Sequence, residues 1–175
     1  MRLTGLALLL ASLVLPALAD DVTRSASGDI DGDGVPDRID IRRNADDVSV
    51  DVAVTLSASK RTVKVQGLTG AEYAEPPAFD KGEVMLAFEW LNGRYKTHTR
   101  FYLGMQGAEL VVRRYETAVV DSISANPDGT VKVDACEADF VANRATRNDQ
   151  PAASPGKPIA LFAWTDESVP KACQF

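Results

Sequence analysis

The sequence predicts an all-β, mainly antiparallel fold, arranged as a single sandwich-like domain or curled meander with few short helices. Three observations support this prediction. β-Branched residues alternate with polar ones over several short segments, which is the period of a half-buried strand. Turn-forming residues separate these segments about every ten positions, as in sheet sandwiches. Apolar residues do not recur at helical spacing over three turns in any window.

The first half of the chain contains the clearest alternation. Apolar residues alternate with charged or polar ones in segments 39–41, 48–54 and 63–65, and each segment predicts a strand. The denser apolar run at 83–90 is typical of a central strand. The pair Asn92–Gly93 then predicts a two-residue hairpin turn, because both residue types tolerate positive φ.

The second half continues as hairpins. The strand predicted over 94–103 would place Tyr95, Thr97, Thr99 and Phe101 on one face. The elements predicted after it are a turn at 104–107, a strand over 108–120, a hairpin turn at Asp128–Gly129, a strand over 130–141 and a last buried strand over 159–164.

The chain is expected to be a signal peptide followed by one domain. Residues 1–19 combine a basic start, an apolar run and Ala-Leu-Ala at 17–19, which is the pattern of a secretory signal peptide. The apolar run is short for a membrane span, and no second run follows. Residues 20–175 would then form a single exported domain, with 71–82 and 142–158 as proline-bearing surface loops.

The charge balance disfavours two classes of partner. Without residues 1–19, the chain holds 18 Lys and Arg against 25 Asp and Glu, a net charge of −7. A protein without a basic stripe releases no counterions from nucleic acid or from an anionic membrane face. Neither is therefore expected as a partner.

Cys136 and Cys173 are the two cysteines of the chain. In an exported protein they predict one disulfide that closes the C-terminal segment. Such a bond would stabilise the fold by roughly 3–4 kcal/mol through the unfolded state. Two free thiols are the alternative, whereas two cysteines with one distant histidine do not make a zinc site.

Residues 27–41 concentrate five aspartates and three glycines. Counted from Asp29, the acids occupy positions 1, 3, 5, 9 and 12, which are Asp29, Asp31, Asp33, Asp37 and Asp40. Gly34 stands at position 6 for a sharp turn, and Val35 at position 7 offers a backbone carbonyl. Without an ion, neighbouring carboxylates repel by about 1 kcal/mol per pair. The spacing therefore predicts a Ca²⁺ site, with an acidic turn that binds nothing as the alternative.

The sequence around this loop does not predict a helix-loop-helix hand. Residues 20–28 are short and polar, and residues 38–44 alternate as a strand. Position 12 is Asp40 rather than the longer glutamate that reaches the ion through both oxygens. The first four aspartates are therefore the stronger candidates as ligands, and Asp40 is the weaker one.

Residues 28–41, GDIDGDGVPDRIDI, resemble the calcium loop of the FG-GAP/VCBS type, in which an acidic loop links two strands. The resemblance implies that Asp29, Asp31, Asp33, the Val35 carbonyl and Asp37 hold the ion. Proteins of that type with a propeller fold carry several such loops. This chain carries one, so a propeller is not implied.

No catalytic constellation is predicted. His98 is the only histidine and fits a solvated strand position. Four glutamates could supply a carboxylate pair for sugar hydrolysis, although an ordinary outward strand face is the simpler interpretation; they are Glu83, Glu89, Glu109 and Glu116. Four aromatic residues near one hairpin could line a ligand groove, although aromatic residues in sheets usually pack in the core; they are Trp90, Tyr95, Phe101 and Tyr102.

The resulting hypothesis is a non-catalytic, exported, calcium-binding β-domain, periplasmic or extracellular. It would act as a binding or accessory protein at the cell envelope, on an unidentified envelope protein or polymer. The alternative hypothesis is an envelope hydrolase, or an inhibitor of an envelope enzyme, with a site in loops 71–82 and 142–158. The two hypotheses differ in whether convergent acids lie in a deep pocket.

Overall fold

The computed structural model describes residues 22–44, 48–80 and 82–175. The predicted signal peptide, residues 1–19, lies outside the described residues. The predicted all-β fold is confirmed: the described residues form thirteen strands that pair antiparallel. Among these residues the helices are three single turns of 3-10 type, Leu161–Ala163, Asp166–Ser168 and Lys171–Cys173.

The first sheet is a four-stranded meander in the order β1-β2-β3-β4. Its strands are β1 Val22–Gly28, β2 Asp37–Arg43, β3 Ser49–Leu56 and β4 Arg61–Gly70. Burial alternates along β2 and β3, because successive side chains of a strand point to opposite faces. Ile39, Ile41, Val50 and Val54 are completely buried on the inner face of this sheet.

The second sheet is a longer meander in the order β12-β11-β10-β9-β8-β7-β5. Its strands are β5 Tyr73–Ala74, β6 Ala78–Asp80, β7 Glu83–Asn92, β8 Tyr95–Gln106, β9 Glu109–Ala125, β10 Val131–Asp139, β11 Arg144–Arg147, β12 Gln150–Ala152 and β13 Ile159–Ala160. Two of these strands lie off the main path, since β6 also pairs with β7 and β13 pairs with β9.

The inner faces of both sheets contribute to one hydrophobic core. Phe101 of β8, only 1% exposed, lies at the centre of an aromatic cluster in this core. Its ring meets Phe88, Tyr115 and Trp164 edge-on at centroid distances of 5.9, 5.2 and 5.3 Å. Such edge-to-face pairs stabilise a core beyond the area that they bury.

The C-terminal segment, residues 161–175, packs onto the second sheet. The predicted disulfide is confirmed: Cys136 of β10 and Cys173 are bonded, with Cα atoms 5.1 Å apart and both side chains buried. Trp164 anchors the start of the segment among the core rings. Arg147 of β11 donates a hydrogen bond to the Gln174 carbonyl. The segment is therefore held at both ends.

The structure corrects several local predictions. The strand expected over 159–164 is only two residues long and then becomes a 3-10 turn. The loop expected over 142–158 contains the short hairpin of β11 and β12, and the loop expected over 71–82 contains β5 and β6, which both pair with β7. The turn expected at 104–107 is confined to Gly107 and Ala108, because β8 continues to Gln106. Short strands paired by only a few residues have too little alternation to be recognised.

Within the described residues, no helix is both long and apolar enough to cross a membrane.

Candidate functional site

The acidic segment forms the loop between β1 and β2. Gly32 and Gly34 adopt positive φ angles of 78° and 82°, which glycine reaches without steric cost. These angles curl the chain around Asp29, whose carboxylate accepts the backbone N–H of Gly32 at 2.7 Å and of Gly34 at 2.9 Å. Asp29 therefore closes the loop on itself.

Asp37 holds the loop against the rest of the first sheet. Its side chain is completely buried. One oxygen accepts the backbone N–H of Ile30 at 2.9 Å, and the other accepts that of Ser57 at 2.8 Å. The Ser57 hydroxyl in turn donates to the Pro36 carbonyl at 2.7 Å. The first residue of β2 thus connects the acidic loop to the β3–β4 turn.

Three of the aspartates are close enough to share one ion. Asp29, Asp31 and Asp37 each offer a carboxylate oxygen, and these oxygens lie within 4.8 Å of one another. An all-oxygen donor set suits a hard divalent cation such as Ca²⁺ or Mg²⁺. Loss of solvation raises the pKa of Asp31, and the charges of Asp37, Asp33 and Asp29 raise it further. A bound cation would offset that repulsion.

Two other predicted ligands, Asp33 and Asp40, are not in this group of three carboxylates. Asp33 is outside the group of three, and its carboxylate accepts the backbone N–H of Val35 at 2.7 Å. Asp40 lies on β2, where its carboxylate accepts the Ser25 hydroxyl at 2.5 Å and the Arg38 guanidinium at 2.9 Å. The hydrogen bond from Arg38 lowers the pKa of Asp40. Asp40 thus has partners from its own strand pair.

Three of the four glutamates considered for sugar hydrolysis have basic neighbours on the strands. Glu89 lies 3.1 Å from His98, opposite it on β8. Glu83 lies 3.4 Å from Arg113. Glu109 stands at the exposed start of β9.

Glu116 has a similar environment on the outer face of the second sheet. It accepts a hydrogen bond from the Tyr102 hydroxyl at 3.1 Å and lies 3.5 Å from Arg100. The Arg114 guanidinium covers the Tyr102 ring at 3.7 Å from its centroid. These contacts form a network of ion pairs and stacked groups across neighbouring strands, as expected of an outward sheet face.

The four aromatic residues of the predicted groove separate into three environments. Phe101 is in the core and Tyr102 is on the outer face. Trp90 and Tyr95 line an open groove of about 660 Å³ on the inner face of the second sheet. The C-terminal Phe175 lines the same groove, which the sequence did not indicate because this residue is remote along the chain.

The two loops predicted to hold a hydrolase site do not line this groove. None of its lining residues belongs to 71–82 or 142–158. Thr146 and Asp149 instead line a smaller cleft of about 430 Å³ on the outer face, beside His98.

No protein-family model matches this chain, and neither a curated protein nor a solved structure matches it. The resemblance of residues 28–41 to the FG-GAP/VCBS loop therefore stays a prediction. The fold and the two sites, the acidic loop and the inner-face groove, are the basis for any functional proposal.

Proposed function

We propose that this chain is an exported β-domain that binds calcium through residues 29–37 and acts by binding, as an accessory protein at the cell envelope. The observation that supports the calcium part is the convergence of the carboxylates of Asp29, Asp31 and Asp37 within 4.8 Å. The motif spacing adds Asp33 and the Val35 carbonyl as further ligands. Several protein oxygens in one flexible loop favour calcium over magnesium, which retains more of its waters.

The ion would act on structure rather than on chemistry. It would neutralise a cluster of like charges and thereby hold the β1–β2 loop in one conformation. Because the site lies at the end of the first sheet, the ion would stabilise the strand pair that carries it. This effect is measurable as a stability increase, since a ligand that binds only the folded state adds RT ln(1 + [L]/Kd).

Export is supported by the buried disulfide, which persists in oxidising compartments. It is also supported by the pattern of residues 1–19. A role in binding is supported by the charge distribution on the second sheet. Glu83, Glu89 and Glu116 each lie beside a basic group, and of these three glutamates Glu116 alone lines the outer-face cleft.

The calcium proposal is tested by thermal unfolding of residues 20–175 in EGTA and in excess CaCl₂. At a hundredfold excess over Kd, calcium should add about 2.7 kcal/mol. For a domain of this size that corresponds to a rise in Tm of roughly 5–10 °C. Magnesium at the same concentration should give a smaller rise.

Asp31→Asn is the informative variant, because the hydrogen bond that its carboxylate accepts from Asp33 is long, at 3.3 Å. The calcium-dependent rise should be lost in Asp31→Asn and kept in Asp40→Asn, which removes an aspartate of the same motif. An equal rise in both variants, or none in the unmodified chain, contradicts the proposal.

A further inference from the structure

The inner face of the second sheet changes its chemistry along the strands. Leu86, Phe101 and Tyr115 are cross-strand neighbours on β7, β8 and β9, and all three are buried in the core. One step along the strands, the inward positions are Phe88, Thr99 and Thr117, and Thr99 pairs with the other two. Burial raises the pKa of Tyr115, and interactions with the Thr117 and Thr99 side chains partly offset that rise. Threonine hydroxyls thus appear at inward positions where the core ends.

The next row of inward positions is partly exposed. Trp90 pairs with Thr97, and Thr97 pairs with Val119. Tyr95 and Phe175 border this row and are 44% and 52% exposed. Polar residues at inward positions of a sheet depart from the pattern that a core requires. Polar side chains at inward positions are expected where the face of a sheet contacts a ligand instead of packing against another layer of the protein.

The far wall of the groove is the C-terminal segment, which contributes Asp166, Val169 and Cys173. The bond from Cys173 to Cys136 fixes this wall to β10. The groove therefore lies between the hydrogen-bonded strands of the second sheet and a C-terminal segment that the disulfide holds in place. Its volume of about 660 Å³ is within the roughly 300–1,000 Å³ of small-molecule sites.

The groove is poor in charge. Of the described residues that line it, Asp166 is the one with an acidic side chain, and none is a lysine, arginine or histidine. Two nearby guanidinium groups contact the outer rings, Arg94 at 5.4 Å from the Tyr95 centroid and Arg147 at 4.8 Å from that of Phe175. Each is paired with an aspartate, so the surroundings are close to neutral.

We propose that this groove binds a neutral saccharide, with Trp90 and Tyr95 stacking on sugar rings. The hydroxyls of the more accessible lining threonines, Thr69 and Thr97, and the Asp166 carboxylate would hydrogen-bond the sugar hydroxyls. The inference rests on the proposed role of the chain as a binding protein, and it names the class of ligand.

Charge complementarity favours this ligand over two others. An anionic ligand would meet Asp166 without any cation in the lining. A cationic ligand would stack on Tyr95 and Phe175, which guanidinium groups already contact. A neutral polyhydroxylated ring avoids both repulsions. Its hydroxyls also match a lining whose polar side chains are mostly hydroxyl groups, each of which donates one hydrogen bond and accepts others.

The proposal is tested by isothermal titration calorimetry of residues 20–175 with maltohexaose, cellohexaose and hexa-N-acetylchitohexaose. Polygalacturonate and tetramethylammonium chloride represent the anionic and cationic alternatives. At least one neutral hexasaccharide should bind, and the two charged probes should not. Trp90→Ala and Tyr95→Ala should each weaken that binding about tenfold, because each removes one stacking ring.

Tyr73→Ala is the matched control, because Tyr73 is 58% exposed and lies outside the groove. This variant should bind like the unmodified chain. If Trp90→Ala fails to fold, Trp90→Phe keeps a ring and should bind within about threefold of the unmodified chain.

Three outcomes overturn the proposal: no neutral hexasaccharide binds at millimolar concentration, the groove variants bind as well as the control, or only a charged probe binds. The titrations are run in both CaCl₂ and EGTA. Loss of sugar binding with an intact calcium-dependent Tm overturns this inference alone. Sugar binding without a calcium-dependent Tm overturns only the calcium proposal.

Discussion

Replacement of Asp37 by alanine separates the structural role of this residue from any role as a metal ligand. The Asp37 carboxylate is completely buried and accepts two backbone N–H groups, those of Ile30 and Ser57. Alanine leaves both donors without their acceptor. The Ile30 donor is buried and should cost about 1–3 kcal/mol, whereas the half-buried Ser57 donor should cost about 1 kcal/mol. The expected total is about 2–4 kcal/mol.

The measurement is urea unfolding at pH 7 in EGTA, where no divalent ion contributes. Asp37→Ala should lower the midpoint with little change in slope, as a loss of folded-state stability does. Asp40→Ala is the control, because it removes a surface ion pair that contributes about 0–1 kcal/mol. In calcium, Asp37→Ala should lose the additional ion-dependent stabilisation, since the residue is also one of the three convergent carboxylates.

The reasoning is refuted if Asp37→Ala in EGTA costs no more than Asp40→Ala. Its two hydrogen bonds would then contribute no more than an exposed ion pair. A large cost that appears only in calcium would also refute it, because Asp37 would act through the ion alone.

Three further predictions concern the disulfide, the aromatic core and the ion pair between Asp134 of β10 and Arg147 of β11. Replacing both Cys136 and Cys173 by serine should lower the free energy of unfolding by about 3–4 kcal/mol, measured by urea unfolding against the oxidised chain. Phe101→Ala should cost about 3–5 kcal/mol in the same assay, since it empties the centre of the aromatic cluster; a cost below 1 kcal/mol would contradict this packing. The hydrogen bond from Arg147 lowers the pKa of Asp134, so its stabilisation is present above the unfolded pKa of about 3.9 and is lost as pH falls through the folded value. Asp134→Asn should therefore lose less stability than the unmodified chain between pH 6 and pH 3; an equal loss would contradict the assignment.

Much of the fold could be predicted from the sequence, because apolar and polar residues alternate along strands such as β2 and β3. Alternation is a local property, and it correctly placed Thr97, Thr99 and Phe101 on one face of β8. The disulfide could be predicted because only two cysteines were available to pair. The hairpin after β7 was predicted one residue early, since its two turn residues are Gly93 and Arg94.

The acidic loop shows the limit of this reasoning. Spacing alone treats Asp31 and Asp40 as members of one series. In the structure, Asp31 lies in the loop with two other carboxylates, whereas Asp40 lies on β2 with Arg38 and Ser25. The difference arises from strand pairing, which brings a residue from β1 beside Asp40.

The sequence by itself determined most of the longer strands, the face that side chains take along them, and where acidic residues are concentrated. The tertiary structure decided which parts of each face are covered. Phe101 and Thr97 have the same orientation on one strand, yet one is at the core and the other lines an open groove. The reason is that periodicity is set by neighbouring residues, whereas coverage depends on where the other sheet and the C-terminal segment, including Phe175, come to lie.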